Sequence, residues 1–111
     1  MNVQFDKNIL RINNVEYILD MPIIDAATDG TRVYVVFDYM AFPKDQQAAN
    51  LVSLDFSARR LWTLAEQPID HPTAAYTKIT RIDPLTVGNF AGFSCVIDCA
   101  SGKLVESEFM K

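Results

Sequence analysis

Few of the residues that announce chemistry occur in this 111-residue sequence. There is one histidine, there are two cysteines, and the four glycines stand singly at 30, 88, 92 and 102. Isolated glycines exclude a phosphate-cradling loop, which needs them clustered where backbone amides converge on the anion. Two cysteines and a lone histidine match no zinc-ligand spacing, so neither a metal nor a cofactor is expected. No apolar run approaches the ~20 residues a membrane-crossing helix requires. The opening stretch MNVQFDKNILRIN lacks the basic patch and apolar core of a signal peptide. These absences lead to the expectation of a soluble, cytoplasmic chain with no membrane partner. The net charge is −4 with a sequence pI near 4.7, which opposes direct nucleic-acid binding and favours a basic partner. Arg59-Arg60, the densest basic spot, is too short for a nucleic-acid footprint.

Half of the residues are hydrophobic, and they alternate. The pattern predicts one all-β domain over residues 1–111, an antiparallel meander of about 8–10 strands with at most one short helix. ILRI-NN-VEYILD (residues 9–20) is a hairpin whose Asn13-Asn14 loop tolerates the positive φ of a type I′ turn. Asp25 to Gly30, DAATDG, is expected as a turn-rich loop. TRVYVVFDY (31–39) is the strongest strand; both faces are apolar, which makes it central. Pro43 to Ala49 is the one helix candidate. Ala75 to Ile82 is a strand that is half exposed or at an edge, Asp83-Pro84 a turn, and Gly92 a bulge or bend between two further strands. Val35, Phe37, Leu54, Trp62, Val96 and Ile97 are the expected core. Cys95 and Cys99 lie four apart on one strand, about 13 Å between Cα atoms, too far for a disulfide.

The stretch LVSLDFSARRLWT (51–63) is echoed 43 positions later by SCVIDCASGKLVE (94–106). Leu54-Asp55 falls on Ile97-Asp98, and Arg60-Leu61 on Lys103-Leu104. A strand, a loop and then a hairpin of the L-x-x-L-D-x-x-x-G type closing on tryptophan resembles the blade repeat of quinoprotein-like β-propellers. It covers residues 33–66 and, more weakly, 76–109. Arg59 stands where the motif has glycine, and Val105 where the first copy has Trp62. The resemblance implies blade-like hairpins in a partial propeller, a sandwich or an open barrel. It implies no quinone, because that activity needs a full ring of blades.

Candidate chemistry is sparse. Asp70-His71 pairs a carboxylate with the only histidine, but neighbours in a proline-flanked loop point apart and no nucleophile accompanies them. Cysteines on an apolar strand are kept protonated rather than activated. No catalytic residue is therefore assigned. The candidate partner-binding set is acidic residues near aromatics in loops: Asp25, Asp29, Asp38, Tyr39, Phe42, Glu66 and Asp70. Glu106 and Glu108 share one face of the last strand. In size, acidity and lack of catalytic apparatus the chain is similar to immunity proteins of bacterial toxin systems. That resemblance implies a non-enzymatic protein that neutralises a basic, nuclease-type toxin domain by blocking its active site. The alternatives are a small-molecule-binding or enzymatic β-domain around Trp62 and His71, or an oligomeric, propeller-like assembly module.

Overall fold

The structure, a computed structural model, describes residues 2–42, 49–63 and 75–109. Within them the chain is all-β, with three antiparallel sheets and a single 3-10 turn at Tyr39–Ala41. Strands β1 (Val3–Asp6), β2 (Ile9–Ile12) and β3 (Val15–Ile18) form a three-stranded meander. The second sheet is a four-stranded meander of β4 (Ile23–Thr28), β5 (Val33–Phe37), β6 (Leu51–Leu54) and β7 (Arg60–Thr63). The third is another, of β8 (Tyr76–Ile82), β9 (Leu85–Asn89), β10 (Phe93–Ile97) and β11 (Leu104–Phe109). The eleven strands exceed the expected number because Val3–Asp6 pairs with β2. The helix expected at Pro43 to Ala49 falls, apart from Ala49, outside the described residues. No helix of the described residues is long and apolar enough to cross a membrane.

The second sheet is the middle layer. Val33, Val35 and Phe37 of β5 pack with Leu10, Ile12 and Ile23 against the first sheet. Tyr34 and Val36, on the other face, pack with Tyr76, Leu85, Val87, Cys95 and Ile97 of the third. All five β5 residues are buried, so the two apolar faces read in the sequence are the two interfaces of one layer. The expected core holds at Val35, Phe37, Leu54 and Ile97, while Trp62 is half-buried. Val96 is the exception. It pairs with Glu106 on the outer face of the third sheet, and Cys95 and Ile97 point inward in its place, as the two-residue side-chain period demands.

Local turn chemistry follows the sequence closely. Asn13 and Asn14 take φ of 50° and 70°, the left-handed pair a type I′ hairpin needs. The segment from Gly92 does more than bend: β9 and β10 pair as a hairpin, closed by the Asn89 Oδ1 accepting from Phe93 N–H at 2.7 Å. The DAATDG stretch is strand as far as Thr28. It enters the sheet because a bulge between Ile23 and Asp25 turns the Asp25 carboxylate toward β8, whose Ile79 N–H it accepts at 2.8 Å.

The three meanders fan out from their first strands, with β1 packed beside β4 and β4 beside β8. Asn50, fully buried, ties two of them together. Its amide donates to the Phe37 and Tyr76 carbonyls at 2.9 and 2.6 Å, and its oxygen accepts from Tyr76 N–H at 3.0 Å.

The sequence echo falls on corresponding hairpins, β6–β7 and β10–β11. Asp55 N–H donates to the Arg59 carbonyl and Asp98 N–H to the Lys103 carbonyl, both at 2.9 Å. The ladders place Leu54 opposite Arg60 and Ile97 opposite Leu104, so the second turn is one residue longer than a gap-free alignment allows. With that residue inserted, Gly102 (φ 77°) corresponds to Ala58 (φ 63°) rather than to Arg59. Docking between layers is also repeated. The Tyr17 hydroxyl on β3 donates to the Phe56 carbonyl at 3.2 Å, and the Trp62 indole on β7 donates to the Cys99 carbonyl at 2.8 Å. Phe56 and Cys99 each directly follow the turn aspartate.

Candidate functional site

Up-and-down strand order sends every odd-numbered connection of the second and third sheets to one end of the molecule. The β4–β5, β6–β7, β8–β9 and β10–β11 turns gather there, and each begins with or contains an aspartate: Asp29, Asp55, Asp83 and Asp98. An aspartate at such a position is selected by local hydrogen bonding, since its carboxylate caps the turn's backbone amides. Asp55 Oδ1 accepts from Ser57 and Arg59 N–H at 2.9 Å each, and Asp98 Oδ1 accepts from Ala100 N–H at 3.0 Å.

Asp29 is the most heavily tied. Its Oδ1 accepts from Thr31 N–H, the Thr31 hydroxyl and Arg32 N–H at 2.8–2.9 Å, and its Oδ2 accepts from the Tyr34 hydroxyl at 2.6 Å. Partial burial by itself would raise the Asp29 pKa. The Tyr34 hydroxyl and the turn amides outweigh it and lower the carboxyl to about 2. The same contact acts in reverse on Tyr34, whose phenol is pushed above its ordinary range by burial and then by the Asp29 charge. Asp29 therefore stays ionised throughout the physiological range, held by a buried side chain.

Between these turns lies an open cleft of about 630 Å³. Asp29, Asp83 and Asp98 stand around it, and Ile82, Pro84, Leu85, Ile97 and Val105 supply apolar lining. No lysine or arginine is among the described residues lining it. Arg32 stands next to it, its Nη1 lying 3.7 Å from the Sγ of the cleft-lining Cys99. A carboxylate rim over an apolar floor suits a long cationic side chain, whose methylenes lie on the floor while its head meets the rim. Among the described residues no group of three or more His, Cys, Asp or Glu is placed to hold a metal ion.

The residues expected from sequence as a partner-binding set are not brought together. Asp29 lies at the cleft. Asp38, Tyr39 and Phe42 lie beyond the far end of β5, about 17 Å of strand away. There Asp38 caps the 3-10 turn by accepting from Met40 N–H at 2.9 Å. Tyr39 packs against Phe90 with ring centroids 5.4 Å apart, and half-buried Phe42 rests on the core between the first two sheets. Asp25 is spent on the Ile79 amide. Glu66, Asp70 and His71 lie outside the described residues. Asp83 and Asp98, missed as site residues, carry a recognisable signal: an aspartate in each same-side turn of a meander. Trp62 offers no free platform on the face that packs against the Gly102 backbone. Burial raises the Cys95 thiol pKa, with the Tyr76 contact acting the other way, which leaves it a core side chain.

Fold and site together define an all-β domain of three fanned meanders with an acidic cleft at its turn end. Residues 1–109 match the family described as Domain of unknown function (DUF7957), and the chain belongs to that family. No curated protein and no solved structure matches it.

Proposed function

We propose that this chain is a non-enzymatic binding protein for a basic protein partner, acting as immunity proteins do when they neutralise a cationic, nuclease-type toxin domain. The observation that carries the reading is the cleft: three carboxylates from three separate turns around an apolar floor, with no described cation lining it. The net charge of −4 adds a long-range field of the same sign. A nuclease groove is cationic because its substrate is a polyanion, and an acidic rim occupying that groove excludes the substrate by charge and by volume.

Asp83 is the clean probe. It is exposed and its carboxylate takes no turn hydrogen bond among the described residues, unlike Asp29, Asp55 and Asp98. The test is co-expression of the chain with basic, nuclease-type toxin domains, beginning with any encoded at its own locus, scored for growth and for a stable complex. Growth and a recovered complex are expected with the unaltered chain, and weaker rescue with Asp83→Arg. Cell death with no complex overturns the proposal.

A further inference from the structure

We propose that the outer face of the third sheet binds a short free peptide, about three residues long, by its two charged ends. This site is separate from the acidic cleft and does not depend on the basic-partner reading.

One row of paired residues crosses all four strands of that sheet: Arg81 on β8, Thr86 on β9, Val96 on β10 and Glu106 on β11. Alternation puts these side chains on the face away from the core, since Val87, Cys95 and Ile97 beside them are the ones that pack inward. The next row repeats the polarity. Lys78 stands opposite Gly88, its Cγ 3.9 Å from where a Cβ there would lie, and Ser94 links Gly88 to Glu108. The face is therefore cationic along β8, acidic along β11, and small or hydroxylic between. An open hollow of about 450 Å³ lies across it. Arg81 and Glu106 line that hollow from opposite sides, over Thr86, Ser94 and Val96. No ion pair joins Arg81 to Glu106, and neither has another ion-pair partner among the described residues.

A wall of each sign selects a ligand that carries both signs. A polyanion or a polycation is attracted by one wall and repelled by the other. The separation of the walls sets the ligand's length. β8 and β11 are three strand spacings apart, about 14 Å, and strand side chains stand roughly upright from the sheet. A charge-assisted hydrogen bond of ~2.8 Å at each end leaves about 9 Å between the ligand's charges. An extended tripeptide, at ~3.4 Å per residue, places its ammonium and carboxylate about that far apart. The planar fork of the Arg81 guanidinium takes the carboxylate and Glu106 takes the ammonium, while the Thr86 and Ser94 hydroxyls face the peptide's main chain. A single amino acid reaches only one wall. A second copy turned over onto this face would match the charges too. Its hollow would then meet this one with Pro84 and Val96 as the only apolar lining among the described residues, well short of what a stable dimer buries.

The experiment titrates trialanine into the whole, isotopically labelled chain and follows amide shifts by NMR. N-acetyl-trialanine, trialanine amide and free alanine are the controls. Shifts are expected at Thr86, Ser94 and Val96, with affinity about fivefold weaker for each blocked peptide and weaker still for alanine. Arg81→Glu or Glu106→Arg alone should abolish the shifts. The two together should restore them, because the peptide then binds turned round, and that rescue separates charge recognition from a structural effect of either substitution. No shift with trialanine, equal binding of a blocked peptide, no rescue by the double variant, or shifts confined to Asp83 and Asp98 in the cleft overturns the inference. Self-association that follows the same charge swaps also overturns it and gives the face to a second copy. The basic-partner reading is decided separately, by the co-expression test.

Discussion

Two turn residues, Gly102 and Ala58, share one left-handed conformation but differ in their surroundings. Gly102 has φ of 77°, and a Cβ there would sit 2.6 Å from the Trp62 ring. Gly102→Ala should therefore lose about 2–4 kcal/mol in denaturant unfolding, from left-handed strain plus overpacking. Ala58 already bears the strain, at φ 63°, so Ala58→Gly should raise stability by about 0.5–1 kcal/mol. The sequence located the glycine but placed its counterpart at Arg59, because a one-residue difference in loop length leaves no mark on an alternating pattern. Asp29 supplies a pH prediction. Its carboxyl is lowered to about 2 from 3.8, so its contribution is present above pH 3.8 and is lost as pH falls through 2. Tyr34→Phe removes the hydroxyl donor. Carboxyl-carbon NMR should then find Asp29 titrating nearer the ordinary value, with acid unfolding beginning at higher pH; an unchanged titration would remove Tyr34 from the account.

Among the elements, β5 and the Asn50 link decide whether the layers hold. β5 was legible because five β-branched and aromatic residues in succession leave no solvent face. Phe37, 1% exposed, should cost about 3–5 kcal/mol on conversion to alanine; a loss under ~1 kcal/mol would make the strand peripheral. Asn50 was not legible. It ends the stretch before β6, where a polar residue looks like loop, and only the tertiary fold brings the Tyr76 backbone to it. Asn50→Ala leaves the Tyr76 N–H without its buried acceptor and should cost about 2–3 kcal/mol. β4 was half hidden for a related reason, since DAAT has the composition of a turn and becomes a strand through the Asp25–Ile79 contact. Alternation thus revealed the hairpins and their facing residues, whereas contacts between sheets needed the assembled layers.

For the whole molecule, the sequence showed acidity and the structure shows its distribution. Asp83 was visible as a turn residue and Asp98 as the echo of Asp55, yet their convergence with Asp29 depends on the parity of two meanders and on how those meanders stack. Asp38 and Asp29 look like neighbours in a list of loop acids and stand at opposite ends of β5. The outer face of the third sheet bears on the ring-assembly alternative. Thr86, Gly88, Ser94, Val96 and Glu106 lie there, a surface without the apolar density that joins the second sheet to its neighbours. We therefore expect a monomer in solution, checked by light scattering; a concentration-independent oligomer would restore the assembly reading. On the proposed function, the turn-end carboxylates draw in a basic partner. The most direct test is the association rate of the isolated complex as salt is raised, for the chain and for Asp83→Arg. Charge steering predicts a steep fall in rate once the screening length drops below ~8–10 Å, with Asp83→Arg slower at low salt and converging at high salt. A rate indifferent to salt and to Asp83→Arg would contradict it.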